Sequence, residues 1–404
     1  MFAEHKTSAY IKKTLAEMGI DYTEGWGRNV HDGPEGKTGV VADLGTGQPP
    51  CVALRADIDA LPIHEETPVD FRSTHDGRMH ACGHDGHTTM LLAAAKILKR
   101  REKDIQGTVR LIFQPAEEGG AGAKMMREEG VLTQYPTVQE IVGFHIWPMQ
   151  RSGTLAARAG PLLAATDIFD ITLYGRGGHA AMPHLAIDPV PAAAQLATAL
   201  QTLVSREEDP LNAKVVSVTV LQATSNAYNV IPSTAVIQGT TRSLSSASII
   251  DLRERIQTMA ESVANAHRLN VTVGFSKDFY PATVNDGQLW QWFKQVMSEA
   301  QRSLPVDAMD LPLAVSEVPP TMGGEDFAFF AESVPGLFVL LGQGDGEGVA
   351  GQPCTSVTVH NPKFAIDERV LDLGAALHPY LALSAIDRLR RNDTDAAHAI
   401  KTEP

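Results

Sequence analysis

The chain has 404 residues, more than one ordinary hydrophobic core accommodates, and this length predicts two domains. Its 43% of hydrophobic and 20% of charged residues are typical of a globular protein. A formal net charge of -14 argues against nucleic acid or an anionic membrane as a partner. No apolar run reaches the roughly 18 residues of a membrane span. The three cysteines are widely spaced and offer no disulfide framework, so we expect a reducing, cytoplasmic compartment.

Strand-like and helix-like stretches alternate along the first part of the chain. In order, the apolar patterns predict an amphipathic helix within residues 1–19, a strand at 51–54, a helix at 88–101, a strand at 109–113, a helix at 123–129 and a strand at 140–144. This alternation indicates an α/β fold with a mostly parallel sheet. Because such sheets bind ligands at the carboxyl ends of their strands, polar residues that follow these strands are candidate site residues.

A different order of elements occupies residues 164–283. Strands are predicted at 167–174, 214–221, 235–240 and 270–275, and helices at 189–205 and 247–267. This βαββαβ order fits a small α+β domain with an antiparallel sheet and helices on one face. The first pattern then resumes with a helix at 289–301, a strand at 338–341 and a closing helix at 367–386, before a polar tail from 388 that is expected to fray. We therefore predict a catalytic domain at 1–163 and 284–404, and an inserted lid and dimerisation domain at 164–283.

Metal-ligand residue types are concentrated between residues 80 and 87. Cys82 and His84 are the best candidates, because a thiolate binds divalent metals strongly and can bridge two ions, while imidazole suits zinc, manganese, nickel or cobalt. The flanking Gly83 and Gly86 allow the backbone to turn tightly. His87, near the predicted helix start, is expected to support a ligand or to be structural, and not to bind metal itself. The alternative for the whole segment is a polar loop with a structural cysteine.

Adjacent carboxylates follow the predicted strand at 109–113. In an extended segment, Glu117 and Glu118 would point in different directions, so one could bind a metal while the other faces a water molecule as general base. The alternative is a solvated pair on a surface turn. The pair ends an apolar strand and precedes two glycines, which favours the site.

Two more histidines follow strand-like runs. His145 follows the strand predicted at 140–144, and His360 follows the run Val357-Thr-Val. Each fits a satisfied core histidine equally well, and only the convergence of several strand ends on one sheet edge favours a site. Asp59 is a candidate to orient a ligand imidazole through its far ring nitrogen.

The inserted domain offers three candidate residues. His179 lies in the glycine-rich stretch Gly175-Arg-Gly-Gly-His-Ala-Ala181. Asn229 supplies a neutral polar group, and Arg242 a cation that can bind a carboxylate through two hydrogen bonds. On local sequence alone, a turn asparagine and a solvent-facing strand arginine are the favoured interpretations.

Five motifs occur in an order that resembles the amidohydrolase branch of the aminoacylase and carboxypeptidase-G type metallopeptidases. That branch includes hippurate hydrolases, N-acyl-amino-acid amidohydrolases and plant indole-acetyl-amino-acid hydrolases. The likeness extends over nearly the whole chain. The motifs are Leu54-Arg-Ala-Asp-Ile-Asp-Ala-Leu-Pro62, Met79-His-Ala-Cys-Gly-His-Asp-Gly-His87, Phe113-Gln-Pro-Ala-Glu-Glu-Gly119, Gly175-Arg-Gly-Gly-His-Ala-Ala181 and Met322-Gly-Gly-Glu-Asp-Phe327.

The resemblance implies two divalent metal ions per subunit, manganese or zinc, with cobalt and nickel as alternatives. It implies the metal ligands Cys82 as a bridge, Glu118 and His360 on one ion, and His84 and His145 on the other. Glu117 would be the general base. Related peptidase branches place a histidine ligand where this chain has Asp57 and an aspartate bridge where it has Cys82, so here the imidazole would come from His84.

In the inserted domain, the resemblance assigns His179 to stabilisation of the oxyanion, often in the site of a neighbouring subunit. It assigns Asn229 and Arg242 to the substrate carboxylate, and it places Gly324 along the acyl side of the substrate. A homodimer or higher homo-oligomer is therefore expected. Relatives usually carry an additional N-terminal helix with a His-x-x-Pro-Glu-like stretch that precedes the point where this sequence begins, which leads us to expect a truncated N-terminus.

Together, these features predict a hydrolase of linear, non-peptide amide bonds. The predicted reaction cleaves an N-acyl amino acid, a small-molecule substrate, into a carboxylic acid and a free amino acid through attack of metal-held hydroxide, with Glu117 as base. One alternative is a dipeptidase or carboxypeptidase with a free-amine substrate. Another is a catalytically silent metal-binding protein, which would be expected to lack the base that this chain retains.

Overall fold

The structure is a computed structural model that describes residues 3–28, 37–223, 225, 227–303, 311–344 and 353–401. Its helices are α1 (His5–Glu17), α2 (His84–Arg100), α3 (Glu117–Gly120), α4 (Gly122–Glu128), α5 (Pro189–Leu200), α6 (Thr202–Ser205), α7 (Ser246–Ala266), α8 (Gly287–Ser303), α9 (Ala328–Ala331) and α10 (Arg369–Lys401). Its strands are β1 (Tyr22–Arg28), β2 (Lys37–Gly45), β3 (Cys51–Asp57), β4 (Thr108–Gln114), β5 (Val138–Trp147), β6 (Thr154–Ala157), β7 (Gly160–Leu163), β8 (Ala165–Tyr174), β9 (Gly178–His179), β10 (Lys214–Ala223), β11 (Val230–Ile231), β12 (Thr234–Ser243), β13 (Asn270–Phe275), β14 (Thr283–Asn285), β15 (Ala314–Glu317) and β16 (Gly336–Gly342).

The chain divides into two compact units. The first comprises Met1–Gly160, Val284–Pro319 and Asp326–Pro404, and the second comprises Pro161–Thr283 and Pro320–Glu325. The second unit thus begins before the predicted boundary at 164 and also takes in a short segment after the predicted boundary at 283. None of the helices in the described ranges combines the length and the apolar character needed to cross a membrane.

The first unit is built on an eight-stranded sheet in the order β1-β2-β4-β3-β5-β16-β6-β15. In its centre, β4 pairs parallel with β3, β3 with β5, and β5 with β16. At one edge β1 and β2 are antiparallel, and near the other edge β6 pairs antiparallel with β16. Every residue of β3, β4 and β16 is buried, as in parallel strands that are covered on both faces. The predicted α/β class with a mostly parallel sheet is confirmed.

Helix α2 connects the sheet core to the candidate site. Its apolar residues recur at helical spacing, and the buried ones include Met90, Leu91, Ala94 and Leu98. This face packs against β3 and α10, which fixes the position of the helix. The first residue of α2 is His84, so the packing of the helix also determines where that imidazole lies.

The second unit contains an antiparallel sheet in the order β10-β12-β8-β13. Along β8 and β12, buried residues alternate with more exposed ones, as expected for strands with one covered face. Helices α5 and α7 contribute apolar residues to the same buried cluster as these strands. In chain order the elements are β8, α5, β10, β12, α7 and β13, which is the βαββαβ order that the sequence predicts.

Several elements differ from the predicted ones. Strands β1 and β2 have no predicted counterpart. In β1, Gly25 and Gly27, both at positive φ, interrupt the apolar alternation. Helix α2 begins at His84, ahead of the predicted start at 88, and α10 continues to Lys401 through the tail that was expected to fray, while residues 402–404 lie outside the described residues. His360 follows no strand but lies in a turn at a φ of 62°.

Candidate metal centre

Three parallel neighbouring strands lead to the candidate residues. Strand β3 ends at Asp57 and β4 ends at Gln114. Strand β5 ends at Trp147 and carries His145 close to that end. Because β3 is parallel to both β4 and β5, the segments that follow these strands leave the sheet at one edge. Gly83 precedes α2 at a φ of 88°, in the left-handed region that favours glycine, and this lets the chain turn into the helix directly after Cys82.

Cys82, His84 and His145 are buried, and their potential ligand atoms all lie within 4.8 Å of one another. The Sγ atom of Cys82 is 3.4 Å from Nε2 of His145. The other ring nitrogen of His145, Nδ1, lies 2.7 Å from the main-chain oxygen of Ile146, to which it donates its proton. Nε2 of His145 therefore faces the thiol with a lone pair, the state in which imidazole binds a metal.

Asp59 determines the orientation of His84. Nδ1 of His84 lies 3.1 Å from both the main-chain oxygen and Oδ1 of Asp59 and donates its proton to them. Oδ2 of Asp59 accepts the main-chain N–H of Glu118 at 2.9 Å. One buried carboxylate thus connects the start of α2 with the segment that carries the paired glutamates. Nε2 of His84 is buried and has no hydrogen-bond partner among the described residues.

Glu117 and Glu118 lie in a tight turn, α3, and not in the extended segment that the sequence predicts. Ala116 before the turn and Ala121 after it have positive φ angles of 57° and 53°, so the backbone reverses twice. A side chain at Gly122 would place its Cβ 1.7 Å from the main-chain oxygen of Pro115, so the turn closes only with glycine at this position. The turn brings both carboxylates to the first group of ligand atoms, since His84, Glu117 and Glu118 have ligand atoms within 4.8 Å of one another.

His360 approaches the same centre from a distant part of the sequence. Its main-chain N–H donates to the oxygen of Ala81 at 2.7 Å, which anchors the turn beside Cys82. Its Nε2 lies 3.1 Å from Oε1 of Glu118, within the distance of an ion pair. Cys82, Glu118 and His360 form a second group whose ligand atoms lie within 4.8 Å of one another.

The chemistry of these atoms fits divalent metal ions. Nε2 of His84 and Oε1 of Glu118 are buried polar atoms without hydrogen bonds among the described residues, and an unsatisfied buried polar group typically costs about 1–3 kcal/mol. A cation would satisfy both. Thiolate, imidazole and carboxylate are the ligands of zinc sites and of related divalent metals.

The pKa values of the candidate ligands depend strongly on burial. Burial raises the pKa of the Cys82 thiol to about 12. Burial opposes protonation of His84, but the charge of Asp57 and the hydrogen bond to Asp59 raise the pKa of His84 well above its usual range. Burial also lowers the pKa of His145 well below its usual range, so this imidazole is neutral. A bound cation must therefore displace protons from Cys82 and His84 but not from His145.

His87 lies beside this group, but both of its ring nitrogens are engaged. Nδ1 is 2.5 Å from Oδ1 of Asp57, and Nε2 accepts the main-chain N–H of Ile146 at 2.8 Å. With Nδ1 donating and Nε2 accepting, the ring has no lone pair left for a metal. This geometry agrees with a structural role for His87. The contact with Asp57 had no signal in the sequence.

The sequence does not predict the buried polar network that lies behind the centre. Arg55, Gln114 and Asp326 are fully buried and hydrogen-bonded to one another, and Arg55 also contacts Asp57. The available signal was a charged or amide residue within an otherwise apolar strand, because such a residue requires a buried partner.

In the second unit, the structure brings His179 and Asn229 together. Val230 is the register partner of His179 in the β9–β11 ladder, and the N–H of Ala180 donates to the main-chain oxygen of Asn229 at 2.9 Å. Nδ1 of His179 accepts the N–H of Ala181 at 3.1 Å, so the ring proton is on Nε2. His179 is exposed within this unit.

In the second unit, Arg242 contacts the segment that contains Gly324. Nη1 of Arg242 donates to the main-chain oxygen of Met322 at 3.2 Å. The side chain is partly buried and has no carboxylate partner within the part of the chain that the structure describes. A Cβ at Gly324 would lie 2.1 Å from Cγ2 of Thr166, so only glycine fits there without a shift.

The sequence matches a known family over most of its length. Residues 53–383 fit the model of peptidase family M20/M25/M40. The chain belongs to this family. Over 384 residues it is 42% identical to IAA-amino acid hydrolase ILR1-like 4 of Arabidopsis thaliana, covering 94% of this chain and 81% of the relative. Over 371 residues it is 38% identical to N-acetyl-L-cysteine deacetylase of Bacillus subtilis (strain 168), covering 91% and 80%.

Two further similarities bear on the metal and on the alternative reaction. The crystal structure of a Bacillus subtilis protein, described as a dinuclear metal binding peptidase from the M20 family, matches with a TM-score of 0.73 at 34% identity, covering 95% of this chain and 93% of that one. Thermostable carboxypeptidase 2 of Saccharolobus solfataricus is 36% identical over 385 residues, covering 95% of this chain and 91% of the relative. The predicted family and the predicted class, a metal-binding hydrolase of amide bonds, are confirmed.

Proposed function

We propose that this protein hydrolyses N-acyl amino acids to a carboxylic acid and a free amino acid with the help of two divalent metal ions. The observation that carries the proposal is the convergence of buried ligand atoms, two of them without hydrogen bonds, beside the Glu117 carboxylate. The names of two relatives, an IAA-amino acid hydrolase and an N-acetyl-L-cysteine deacetylase, describe enzymes that act on N-acyl amino acids.

The ligand atoms fall into two groups that share one residue. Cys82 belongs both to the group with His84 and His145 and to the group with Glu118 and His360. A thiolate binds divalent metals strongly, so one ion would be held by His84 and His145 and the other by Glu118 and His360, with Cys82 available to both. The mixture of sulfur, nitrogen and carboxylate oxygen suits zinc or manganese, and cobalt and nickel remain alternatives.

Divalent ions in such a site polarise the scissile carbonyl and lower the pKa of a coordinated water. The protein supplies the base. Glu117 is 6% exposed, and its carboxylate lies within 4.8 Å of the ligand atoms of His84 and Glu118. We assign Glu117 to take the proton of the attacking water and to transfer it to the leaving amine, a role that typically contributes about 10²–10⁴-fold to the rate.

The second unit supplies groups suited to the ends of the substrate. Arg242 is a partly buried cation that lacks a carboxylate partner among the described residues, so we assign it, with Asn229, to the carboxylate of the amino acid. His179 carries its proton on Nε2, the exposed side of the ring, and can donate to a developing oxyanion. Gly324 would line the acyl side, where the lack of a side chain leaves room.

We further propose a homodimer in which His179 serves the site of the other subunit. His179→Ala and Glu117→Gln proteins should each be nearly inactive alone. After subunit exchange they should regain a fraction of the activity, because one of the two sites in a mixed dimer then holds both intact residues. No recovery in proven mixed dimers would restrict His179 to its own subunit, and a monomer in sedimentation experiments would exclude the dimer itself.

The choice between amidohydrolase and peptidase depends on the substrate. We would assay metal-free protein, reconstituted in turn with manganese, zinc, cobalt and nickel, against N-acyl amino acids and against dipeptides with a free amine. The proposal predicts faster turnover of N-acyl amino acids. A preference for free-amine dipeptides would favour the alternative, to which the carboxypeptidase relative points. Absence of metal binding would refute the proposal altogether.

A further inference from the structure

Arg55 is a charged residue in the middle of the apolar strand β3, and its side chain is fully buried. Its Nε donates to Oε1 of Gln114 at 2.6 Å, its Nη1 to Oδ2 of Asp57 at 2.9 Å and its Nη2 to Oδ1 of Asp326 at 3.1 Å. The planar guanidinium thus holds two buried carboxylates and an amide in a fixed arrangement. Asp326 is 271 positions away in sequence, so this contact is made only by the fold.

One arm of this network leads to a candidate metal ligand. The second oxygen of Asp57 accepts the proton of His87 Nδ1 at 2.5 Å. Nε2 of His87 in turn accepts the main-chain N–H of Ile146 at 2.8 Å. The main-chain oxygen of Ile146 receives the Nδ1 proton of His145. Arg55 is therefore connected, through four successive hydrogen bonds and the main chain of Ile146, to the orientation of the His145 ring.

The other arm holds the turn that carries the paired glutamates. Asp326 accepts hydrogen bonds from Gln114 Nε2 at 2.8 Å and from the main-chain N–H of Ala123 at 2.9 Å. Gln114 is the last residue of β4, and Ala123 lies in the first turn of α4, so Asp326 ties together the two ends of the segment 115–122. This segment contains Ala116 and Ala121 at positive φ, a strained backbone that persists only where its surroundings hold it.

We propose that Arg55 is a positioning residue for the metal centre, which it serves through Asp57 on the side of His145 and through Asp326 on the side of Glu117 and Glu118. Arg55 is fully buried, and its guanidinium is always protonated, so it is not itself a metal ligand. The inference rests on the proposed function in so far as those residues bind metal and activate water. It gives a role to Arg55, from the motif at 54–62, and to Asp326, from the motif at 322–327, neither of which is assigned as a metal ligand.

The chain contains a matched control. Arg110, on the adjacent strand β4, is also fully buried, and it binds both oxygens of Asp43 at 2.9 and 2.7 Å and the main-chain oxygen of Val131 at 2.8 Å. None of these partners is a candidate site residue. Arg55→Lys and Arg110→Lys therefore remove the same guanidinium from equally buried positions in one sheet, and a lysine cannot span several acceptors as the planar fork does.

The experiment compares the two lysine variants with the wild type. Titration of the metal-free proteins with Mn²⁺ or Zn²⁺ gives the affinity, thermal unfolding gives the stability, and N-acyl amino acid hydrolysis gives kcat and KM. Both variants should unfold at lower temperature. Only Arg55→Lys should lose metal affinity, on the order of 10- to 100-fold as for other residues that orient metal ligands. Its kcat should fall while KM stays close to that of the wild type.

Equal metal affinity and kcat in the two lysine variants would overturn the inference, since Arg55 would then act on stability alone. If wild-type protein binds no metal, the proposed function fails instead, and the two failures are distinguished. Should Arg55→Lys not fold, Asp326→Asn tests the arm to the glutamate turn with little change of shape, and Asp43→Asn is its control. Asp326→Asn should lower metal affinity and kcat, whereas Asp43→Asn should leave both unchanged, and equal behaviour would again refute the inference.

Discussion

The different roles of the paired glutamates can be separated by two isosteric substitutions. Glu117→Gln removes the acceptor of the water's proton but keeps the size of a side chain that is 6% exposed. We expect kcat to fall by about 10²–10⁴-fold, or about 2.7–5.4 kcal/mol in the activation barrier, with metal content unchanged. Glu118→Gln removes the charge of a carboxylate whose Oε1 has no hydrogen bond among the described residues. Metal affinity should therefore fall at least as far as on loss of an orienting residue, about 10- to 100-fold.

The fold should tolerate both substitutions. The bond from the main-chain N–H of Glu118 to Asp59 does not involve the substituted atoms and should persist in Glu118→Gln. Elemental analysis of dialysed proteins gives the metal content, and assays with saturating metal give kcat. Excess metal should partly restore Glu118→Gln but not Glu117→Gln. Equal loss of metal from both variants, or restoration of both by excess metal, would refute the separate assignments.

Three further predictions concern the ligands and the substrate. Cys82→Ser should weaken the binding of both metal ions together, because an alcohol does not ionise as a thiol does, whereas Cys51→Ser and Cys354→Ser should leave the metal content unchanged. Full metal content in all three variants would exclude Cys82 as a bridging ligand. Metal affinity should rise with pH, by up to about tenfold per pH unit for each proton that binding displaces. The displaced protons come from Cys82, whose pKa is about 12, and from His84, whose pKa is raised. An affinity that is independent of pH between 6 and 8 would contradict this. Arg242→Met should raise KM on the order of 10- to 100-fold for substrates with a free carboxylate but not for their amides. This change corresponds to the loss of a charged hydrogen bond of about 1.5–3 kcal/mol. Equal effects on both kinds of substrate would exclude binding of the carboxylate by Arg242.

The sequence was sufficient to predict the sheet edge because apolar strands and the polar residues after them are adjacent in the chain. Strands β3, β4 and β5 could each be located from an apolar run, and parallel pairing then places their ends at one edge. The same reasoning failed for His360, since its turn at positive φ resembles a strand end in sequence. It also failed for Glu117 and Glu118, because the reversal of the backbone at Ala116 depends on contacts of distant residues.

The buried network could not be predicted for a different reason. The periodicity of apolar residues identifies buried faces, but it does not identify the partner of a buried charge. Arg55 finds Asp326 across 271 positions, and neither residue has a neighbour in sequence that indicates the pairing. Only the requirement that a buried charge be paired was available in advance, and it specifies that a partner exists without naming it.

Backbone strain in the described residues is concentrated around the candidate centre. Four non-glycine residues have positive φ, and three of them, Ala116, Ala121 and His360, flank or include candidate site residues. The left-handed conformation costs a residue with a side chain about 1–2 kcal/mol, so each must be held by contacts formed elsewhere. The N–H of His360 bonded to Ala81 and the segment 115–122 held at both ends by Asp326 supply such contacts. For the segment 115–122, the buried carboxylate network is therefore the means by which the fold maintains a strained backbone, and its removal should loosen the centre before it unfolds the sheet.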